Sequence, residues 1–281
     1  MTPTRPIIRY YGGKWKIADW VISFFPEHRC YVEAFGGAGS VLMKKKPARV
    51  EVYNDLSNEM VNLFRVLRDR DQAAELKRLL DLTPYSRAEW LSAYEWSDDP
   101  VEQARRTIVL ATMSHNPSKV MRRKANAFKS PSSGHYRTPH QFQSYTEEIW
   151  AFTARLKEVI IECRDATKVM KQHDRDTTLH YVDPPYLGAL RTDGRNLYQK
   201  EMYSDEDHES LAKCLRSLKG YVILSGYPCD QYREWYEAYG WKPFSMKAIT
   251  GAATRGKSER TEVVWLNPRC ADAQKQLSFK F

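Results

Sequence analysis

Short apolar runs alternate along the chain with longer stretches in which apolar residues keep helical spacing. The apolar runs are rich in β-branched and aromatic residues, which is typical of buried strands. They lie at residues 30–35, 49–53, 158–163, 179–182, 221–225, 241–249 and 261–266. The stretches with helical spacing lie at residues 59–82, 87–95, 101–114, 145–156, 205–218 and 231–239. Asp69-Arg70-Asp71 indicates a break within the first of these helices. The alternation predicts an α/β fold with a mostly parallel sheet.

Nearly all of the net charge of +9 lies in one stretch of the helical region between residues 58 and 156. Between residues 104 and 146 there are eight Lys and Arg residues and no Asp or Glu. A basic stretch of this length without acids is typical of a surface that faces polyanionic phosphate, and a solvated basic face is the simpler alternative. Helical spacing is lost at residues 116–139, which predicts a long loop within a helical subdomain. The candidate DNA-binding residues of this loop are Lys119, Arg122, Arg123, Lys124, Lys129 and Arg137.

The composition is that of a globular protein, because 42% of the 281 residues are hydrophobic and 12% are aromatic. No apolar run approaches the length of a membrane span, and residues 1–8 lack the pattern of a secretory signal. The five cysteines are scattered without CxxC spacing, and the seven histidines suggest no metal site. We therefore expect a cytoplasmic protein with reduced thiols and no bound metal.

A glycine-rich loop follows the first predicted strand directly. Residues 36–40 (GGAGS) separate this strand from the apolar start of a helix, which is the first unit of a nucleotide-binding α/β fold. Leu42 occupies the third glycine position of the GxGxxG pattern, which disfavours a dinucleotide enzyme and leaves room for a nucleoside without a pyrophosphate. Asp55 ends the second strand, where an acid would hold a ribose diol. Alternatively, Asp55 or Ser57 caps the next helix.

The strand at residues 179–182 ends at the sequence Asp183-Pro184-Pro185-Tyr186. Neither proline can donate to a strand ladder, so the strand stops there and presents these groups at the carboxyl edge of the sheet. The Asp183 carboxylate and the Pro184 carbonyl are suited to accept hydrogen bonds from an exocyclic amine, and the Tyr186 ring is suited to stack on a flat base. An ordinary turn after a strand is the alternative for this motif taken alone.

Taken together and in this order, the motifs resemble those of the Dam-type N6-adenine DNA methyltransferases, also called the D12 class. The resemblance covers nearly the full length. Its motifs are Arg9-Tyr10-Tyr11-Gly12-Gly13-Lys14, Phe35-Gly36-Gly37-Ala38-Gly39-Ser40, Tyr53-Asn54-Asp55, Cys163-Arg164-Asp165, Asp183-Pro184-Pro185-Tyr186 and Arg260-Thr261-Glu262-Val263-Val264-Trp265.

The resemblance implies a Rossmann-like class I methyltransferase sheet, mostly parallel, with seven strands and an antiparallel edge hairpin. Residues 1–57 and 157–281 would form the S-adenosylmethionine-binding catalytic domain, and residues 58–156 would form an inserted helical target-recognition subdomain. The implied catalytic residues are Asp183, Pro184, Pro185 and Tyr186. The implied cofactor-binding residues are Tyr10, Tyr11, Gly13, Lys14, Phe35, Gly36, Gly37, Gly39, Asp55, Asp165 and Asp183.

The implied reaction is transfer of the methyl group of S-adenosylmethionine to N6 of an adenine that has been flipped out of duplex DNA. Such a protein would be bacterial or phage-encoded, and a restriction–modification role is one possibility for it. N4-cytosine methylation, adenine methylation of RNA and DNA binding without catalysis stay open as alternatives. Residues 114–119 do not match the pattern of family members that recognise GATC, so no target sequence is predicted.

The last six residues, QLSFKF, resemble the short peptides that bind bacterial sliding clamps. The competing interpretation is a frayed or packed chain end with a chance similarity. A sliding clamp is therefore a second candidate partner beside duplex DNA.

Overall fold

A seven-stranded sheet forms the centre of the computed structural model, which describes residues 2–10, 12–115, 127–130, 138–187, 204–250 and 258–278. The strands are β1 (Cys30–Glu33), β2 (Val50–Asn54), β3 (Val159–Glu162), β4 (Thr178–Val182), β5 (Tyr221–Gly226), β6 (Lys242–Thr250) and β7 (Ser258–Leu266). Their order across the sheet is β3-β2-β1-β4-β5-β7-β6. The first five run parallel, and β7 is antiparallel to both β5 and β6. The predicted fold class is therefore confirmed.

Helices cover both faces of this sheet. The helices are α1 (Ala18–Ile22), α2 (Ser40–Lys44), α3 (Asn58–Arg68), α4 (Arg70–Leu82), α5 (Arg87–Ser92), α6 (Pro100–Met113), α7 (Thr138–Gln143), α8 (Ile149–Leu156), α9 (Ala166–His173), α10 (Asp205–Ser217), α11 (Asp230–Trp235) and α12 (Pro268–Ser278). In the described part of the chain, none of these helices has the length and apolar character needed to cross a membrane.

The predicted break in the first long helix is confirmed at Asp69. This residue ends α3, and its carboxylate accepts hydrogen bonds from the backbone N–H groups of Asp71 and Gln72 at the start of α4. Four helices were not predicted, namely α1, α7, α9 and α12, and α7 begins at the last two residues of the predicted loop. Each is short or polar, and α9 buries only Ala166, Val169 and Met170, which is too few apolar positions for a clear helical period.

The topology of the sheet positions a cleft between β1 and β4. The chain leaves β1 toward β2 and β3 on one side, whereas β4 continues toward β5 on the other. At such a switch point the connections diverge and leave a crevice at the carboxyl ends of the two strands. All five residues of β4 are buried, as expected for a central parallel strand that is covered on both faces.

Helices of the region 58–156 share a hydrophobic cluster with the sheet. Phe64 of α3 and Phe152 of α8 are fully buried in the same cluster as Tyr31, Tyr53 and Leu179 of the strands. The helices α9, α10 and α11 pack on the opposite face in a second cluster. The helical region is therefore attached to the sheet through apolar packing and not only through its two chain connections.

A buried ion cluster reinforces this attachment. Arg155 of α8 donates to both oxygens of Glu51 on β2, at 2.5 and 2.9 Å, and also to the carbonyl of Leu42 at 2.7 Å. Lys45 donates to the same carboxylate at 2.5 Å. The side chains of Arg155 and Glu51 are only 7% and 5% exposed, so each charge depends on its partners.

We expect Arg155→Met to lower the free energy of unfolding by about 3 kcal/mol, because it leaves a buried carboxylate short of a partner. The matched control is Lys77→Met, which removes the surface Lys77–Asp81 pair and should cost less than about 0.5 kcal/mol. Urea unfolding of both variants measures the difference. Equal losses would contradict the assignment of a structural role to the Glu51 cluster.

Candidate active site

The carboxyl ends of β1, β2 and β4 enclose a cavity of about 990 Å³, counted up to its open mouth. The predicted site residues that line it are Tyr10, Gly13, Lys14, Phe35, Gly36, Gly37, Asp55, Asp183 and Pro185. Gly39 and Asp165 are not among the lining residues, and Tyr11 lies outside the described residues.

The glycine loop after β1 is in close contact with aromatic rings. A Cβ at Gly36 would lie 2.2 Å from the ring of Tyr53, so only glycine fits there. Gly37 has φ +48°, which favours glycine, and a Cβ there would lie 2.9 Å from the ring of Tyr10. The Tyr53 hydroxyl donates to the Gly37 carbonyl at 2.7 Å. The loop is thus held between two rings, and its backbone forms the cavity wall.

Asp55 joins this loop to the end of β2. Its carboxylate accepts from the N–H groups of Gly37 and Ser57, each at 2.7 Å. Burial raises the pKa of Asp55, although these hydrogen bonds oppose the shift. Ser57 is the residue that caps α3, where it accepts from the Met60 N–H. Ser57 is therefore the residue that caps α3, and the Asp55 carboxylate instead holds the glycine loop at the cavity.

Asp165 occupies a different position from the lining residues. It caps α9, where one carboxylate oxygen accepts from the Lys168 N–H at 3.0 Å and the Thr167 hydroxyl at 2.5 Å. The next residue, Ala166, lines the cavity. Asp165 therefore lies at the rim of the cavity with one oxygen already occupied.

Asp183 lies at the end of β4 and forms an ion pair with Lys14. Their side chains approach to 3.0 Å, and the Lys14 ammonium also donates to the Gly12 carbonyl at 2.9 Å. Burial would lower the pKa of Lys14, but the carboxylates of Asp183 and Glu262 outweigh it and raise that pKa. Burial raises the pKa of Asp183, and Lys14 opposes that shift.

Tyr186 is positioned beside this ion pair. Its ring centroid lies 5.0 Å from the Lys14 ammonium and 4.4 Å from the ring centroid of Tyr227. Its hydroxyl donates to Glu262 at 3.4 Å. Pro184 is buried, so of the two prolines only Pro185 reaches the cavity.

Glu33, at the end of β1, is a buried acid that motif reasoning did not include. It lines the cavity, is 2% exposed, and accepts from the Tyr31 hydroxyl at 2.7 Å and the Leu42 N–H at 2.9 Å. Burial raises its pKa to about 8. A carboxyl group in an otherwise apolar strand next to the glycine loop was the available signal for this residue.

Other residues of the site were also missed. The Asn54 side chain joins three strand ends, because it donates to the carbonyls of Ala34 and Arg164 at 2.9 and 3.0 Å. Its position beside Asp55 could have indicated this role. The Ser40 hydroxyl lines the cavity and is buried, and no hydrogen-bond partner for it lies among the described residues. Glu262 belongs to the motif at residues 260–265, but its contact with Tyr186 was not predicted, since it depends on strand pairing.

Most of the candidate DNA-binding residues fall outside the described residues, namely Lys119, Arg122, Arg123, Lys124 and Arg137. Lys129 is described and half-buried, and both burial and the nearby charge of Arg9 lower its pKa. Two other basic residues of the acid-free stretch are engaged elsewhere, because Arg105 and Arg106 both form ion pairs with Glu102.

The sheet topology and the cavity at the β1/β4 switch point define a Rossmann-like methyltransferase fold. A family model described as D12 class N6 adenine-specific DNA methyltransferase matches residues 10–249, and the chain belongs to this family. The family resemblance expected from the motifs is therefore confirmed.

Curated proteins support the same family at low identity. The chain is 24% identical to the DNA adenine methylase of Escherichia coli strain K12 over 245 residues, which cover 84% of this chain and 86% of that protein. It is 26% identical to the type II methyltransferase M1.LlaDCHI of Lactococcus lactis subsp. cremoris over 279 residues, covering 94% and 95%. It is 24% identical to the type II methyltransferase M.MjaIII of Methanocaldococcus jannaschii, covering 87% and 92%.

The reaction of the protein follows from its family. It is a DNA methyltransferase that acts on N6 of adenine, and the alternatives of N4-cytosine methylation, RNA methylation and non-catalytic binding are not favoured.

We expect Gly36→Ala to lower DNA adenine methylation at least about tenfold, because the added methyl group meets the Tyr53 ring and displaces the cavity wall. The control is Gly240→Ala, whose φ of +82° makes alanine unfavourable but whose nearest contact is 3.6 Å away. This control should lose roughly 1 kcal/mol of stability without losing activity. N6-methyladenine formation and thermal unfolding measure the two effects, and full activity of Gly36→Ala would refute the argument.

We expect Glu33→Gln to weaken the pH dependence of stability. The folded-state pKa of about 8 exceeds the ordinary value of 4.5, so the folded protein binds this proton more tightly than the unfolded chain. The free energy of unfolding contributed by Glu33 therefore falls as the pH rises between these two values, and glutamine removes that fall. Urea unfolding over this pH interval measures it, with the exposed Glu234→Gln as control. An unchanged slope in Glu33→Gln would contradict the raised pKa.

Proposed function

We propose that the cavity binds S-adenosylmethionine and that Asp183 receives the amino group of a flipped adenine at its edge. The observation that carries the proposal is the position of Asp183. Its carboxylate ends β4, lines the cavity and is held by Lys14 at 3.0 Å. One carboxylate thus borders both the proposed cofactor site and the tyrosine that would stack on the base.

The chemistry of the lining residues supports S-adenosylmethionine as the cofactor. Asp55 offers a carboxylate at the end of β2, which suits a ribose diol. Asp183 provides a carboxylate that would suit a sulfonium, and Glu33 lines the same cavity. The Ser40 hydroxyl, which has no hydrogen-bond partner in the described part of the chain, suits a polar group of the cofactor, since a buried hydroxyl is rarely left without a hydrogen bond. The glycine loop permits close approach of the ligand to the backbone.

The bound cofactor would supply an electrophilic methyl group on a positively charged sulfur. Transfer would form the N6–carbon bond as the carbon–sulfur bond breaks, with the neutral thioether S-adenosylhomocysteine as the leaving group, and N6 would then lose one proton to solvent. Asp183 and the Pro184 carbonyl would accept hydrogen bonds from N6 and so keep its lone pair directed at the methyl group. Tyr186 would stack on the base and restrict its orientation, and this positioning supplies much of the rate enhancement.

Duplex DNA is the proposed macromolecular substrate, with base flipping because N6 is not accessible to in-line attack within the stack. We assign residues 1–57 and 157–281 to catalysis and residues 58–156 to target recognition. Lys129 supports this assignment, since it lies near Arg9 of the segment that leads into the cavity. Two like charges held near each other favour contact with a phosphate backbone.

Two further assignments stay predictions. A cytoplasmic location agrees with the proposed substrate. Binding of the last six residues to a sliding clamp rests on their sequence alone, and residues 279–281 lie outside the described residues. Deleting these six residues should abolish clamp binding if the prediction is right, and no binding by the intact chain would refute it.

The test is incubation of the protein with S-adenosylmethionine and mixed-sequence duplex DNA, followed by digestion and mass spectrometry of the nucleosides. We expect N6-methyladenine from the wild type and a loss of at least about a thousandfold in Asp183→Ala, because the acceptor for N6 is gone. Calorimetric titration with S-adenosylmethionine should still detect binding to this variant.

The control variant is Asp176→Ala, which removes an exposed acid of the segment before β4 and should keep full activity. Retained methylation in Asp183→Ala would remove Asp183 from the mechanism. Failure of the wild type to bind S-adenosylmethionine would overturn the proposed cofactor.

A further inference from the structure

Glu262 is a buried acid that lies at the same edge of the sheet as the cavity without lining it. It is 8% exposed and belongs to β7, the strand that runs antiparallel to β5. Val263 pairs with Gly226, the last residue of β5, so Glu262 lies one step further toward the carboxyl edge, level with Tyr227. Strand pairing thus carries a residue from the far end of the sequence to the edge where β4 ends.

The first contact of Glu262 is with the tyrosine that the proposed mechanism assigns to base stacking. The Tyr186 hydroxyl donates to the Glu262 carboxylate at 3.4 Å. On its other sides the same ring meets Tyr227, with centroids 4.4 Å apart, and the Lys14 ammonium, 5.0 Å from its centroid. The ring is therefore restrained by three groups from three separate parts of the chain.

The second interaction of Glu262 is electrostatic. The carboxylates of Asp183 and Glu262 are the acids that raise the pKa of Lys14, and Glu262 also raises the pKa of Asp183. The Lys14 side chain is only 6% exposed, so water screens these interactions weakly. The Lys14 ammonium is thus paired directly with Asp183 at 3.0 Å, and it also lies in the field of Glu262, which contacts the same Tyr186 side chain.

The charges of this group do not cancel. Asp183 and Glu262 contribute two negative charges, and Lys14 contributes one positive charge. Glu33 adds little negative charge at neutral pH, since burial raises its pKa to about 8. The described residues at this edge of the cavity therefore carry a net charge of about −1. A sulfonium carries one positive charge, whereas the thioether that remains after methyl transfer carries none.

We propose that Glu262 is a positioning residue that shares Lys14 with Asp183 and thereby leaves the site one negative charge for the sulfonium of the methyl donor. The inference rests on the proposed function, since it assumes that S-adenosylmethionine occupies the cavity. Without Glu262, Lys14 would neutralise Asp183 completely. The site would then lose its preference for the charged donor over the neutral product S-adenosylhomocysteine.

The test compares the affinities of the full chain for these two ligands by calorimetric titration in the absence of DNA. We expect Glu262→Gln to weaken the binding of S-adenosylmethionine about tenfold and the binding of S-adenosylhomocysteine less than about twofold, because only S-adenosylmethionine carries the positive charge. If the role of Glu262 were only structural, the substitution would weaken the binding of both ligands equally. Equal weakening, or no change in either affinity, would overturn the proposal.

Two control variants separate charge from shape. Glu162→Gln makes the same substitution on β3, where the acid pairs with Arg164 at 3.7 Å outside the cavity, and should leave the affinity ratio unchanged. Glu262→Asp keeps the charge and should retain most of the wild-type preference for S-adenosylmethionine over S-adenosylhomocysteine. A loss of this preference in Glu162→Gln, or the same loss in Glu262→Asp as in Glu262→Gln, would count against the proposal.

A second variant, for which the expected shift in the affinity ratio is opposite, keeps the test valid even if Glu262→Gln does not fold. Lys14→Met removes the shared ammonium, leaves both carboxylates, and should shift the affinity ratio toward S-adenosylmethionine. A shift toward S-adenosylhomocysteine would refute the charge balance. Failure of the wild type to bind either ligand would instead refute the proposed cofactor site, so the two ideas fail in distinguishable ways.

Discussion

The parallel pairing of β1 with β4 is the interaction on which the site depends. In this register Glu33 lies opposite Tyr181, so the glycine loop and Asp183 leave the sheet side by side. The Ala34 N–H continues the pairing by donating to the Tyr181 carbonyl at 3.3 Å. A shift of one residue would turn Glu33 to the opposite face and separate the glycine loop from the end of β4. The cavity therefore results from hydrogen bonds between strands that are far apart in the sequence.

Around this edge the protein retains several buried charges that would be costly in isolation. Lys14 is compensated by Asp183 and Glu262, and Glu33 is held by hydrogen bonds from Tyr31 and Leu42. Burying such groups does not by itself stabilise a fold, because desolvation offsets the attraction between them. The proposed exchange of a cationic methyl donor for a neutral product would give a physical reason for keeping them. The stability of the protein rests instead on the two apolar clusters that flank the sheet.

The helical region is connected to the cavity through the same apolar packing. Phe64 of α3 stacks on Tyr53, with ring centroids 3.9 Å apart, and Tyr53 in turn holds the glycine loop. At the other end, Arg5 and Arg9 of the amino-terminal segment donate to Gln141 at 3.2 and 2.9 Å. The segment between residues 9 and 14 thus links α7 with the ion pair at Asp183.

The sequence by itself determined the fold class, the order of the strands along the chain and the motifs of the site. Strand period, glycines and the Pro-Pro stop are local properties, and Gly36, Asp55 and Asp183 could be identified from them. Tertiary structure alone decided which partners the acidic side chains contact, because contacts across the sheet depend on the register of the strands. It assigned the helix cap to Ser57 rather than Asp55, put Asp165 at the rim, and brought Glu262 to Tyr186. Sequence spacing carries no information on such pairings, since the residues approach one another only when separate strands align.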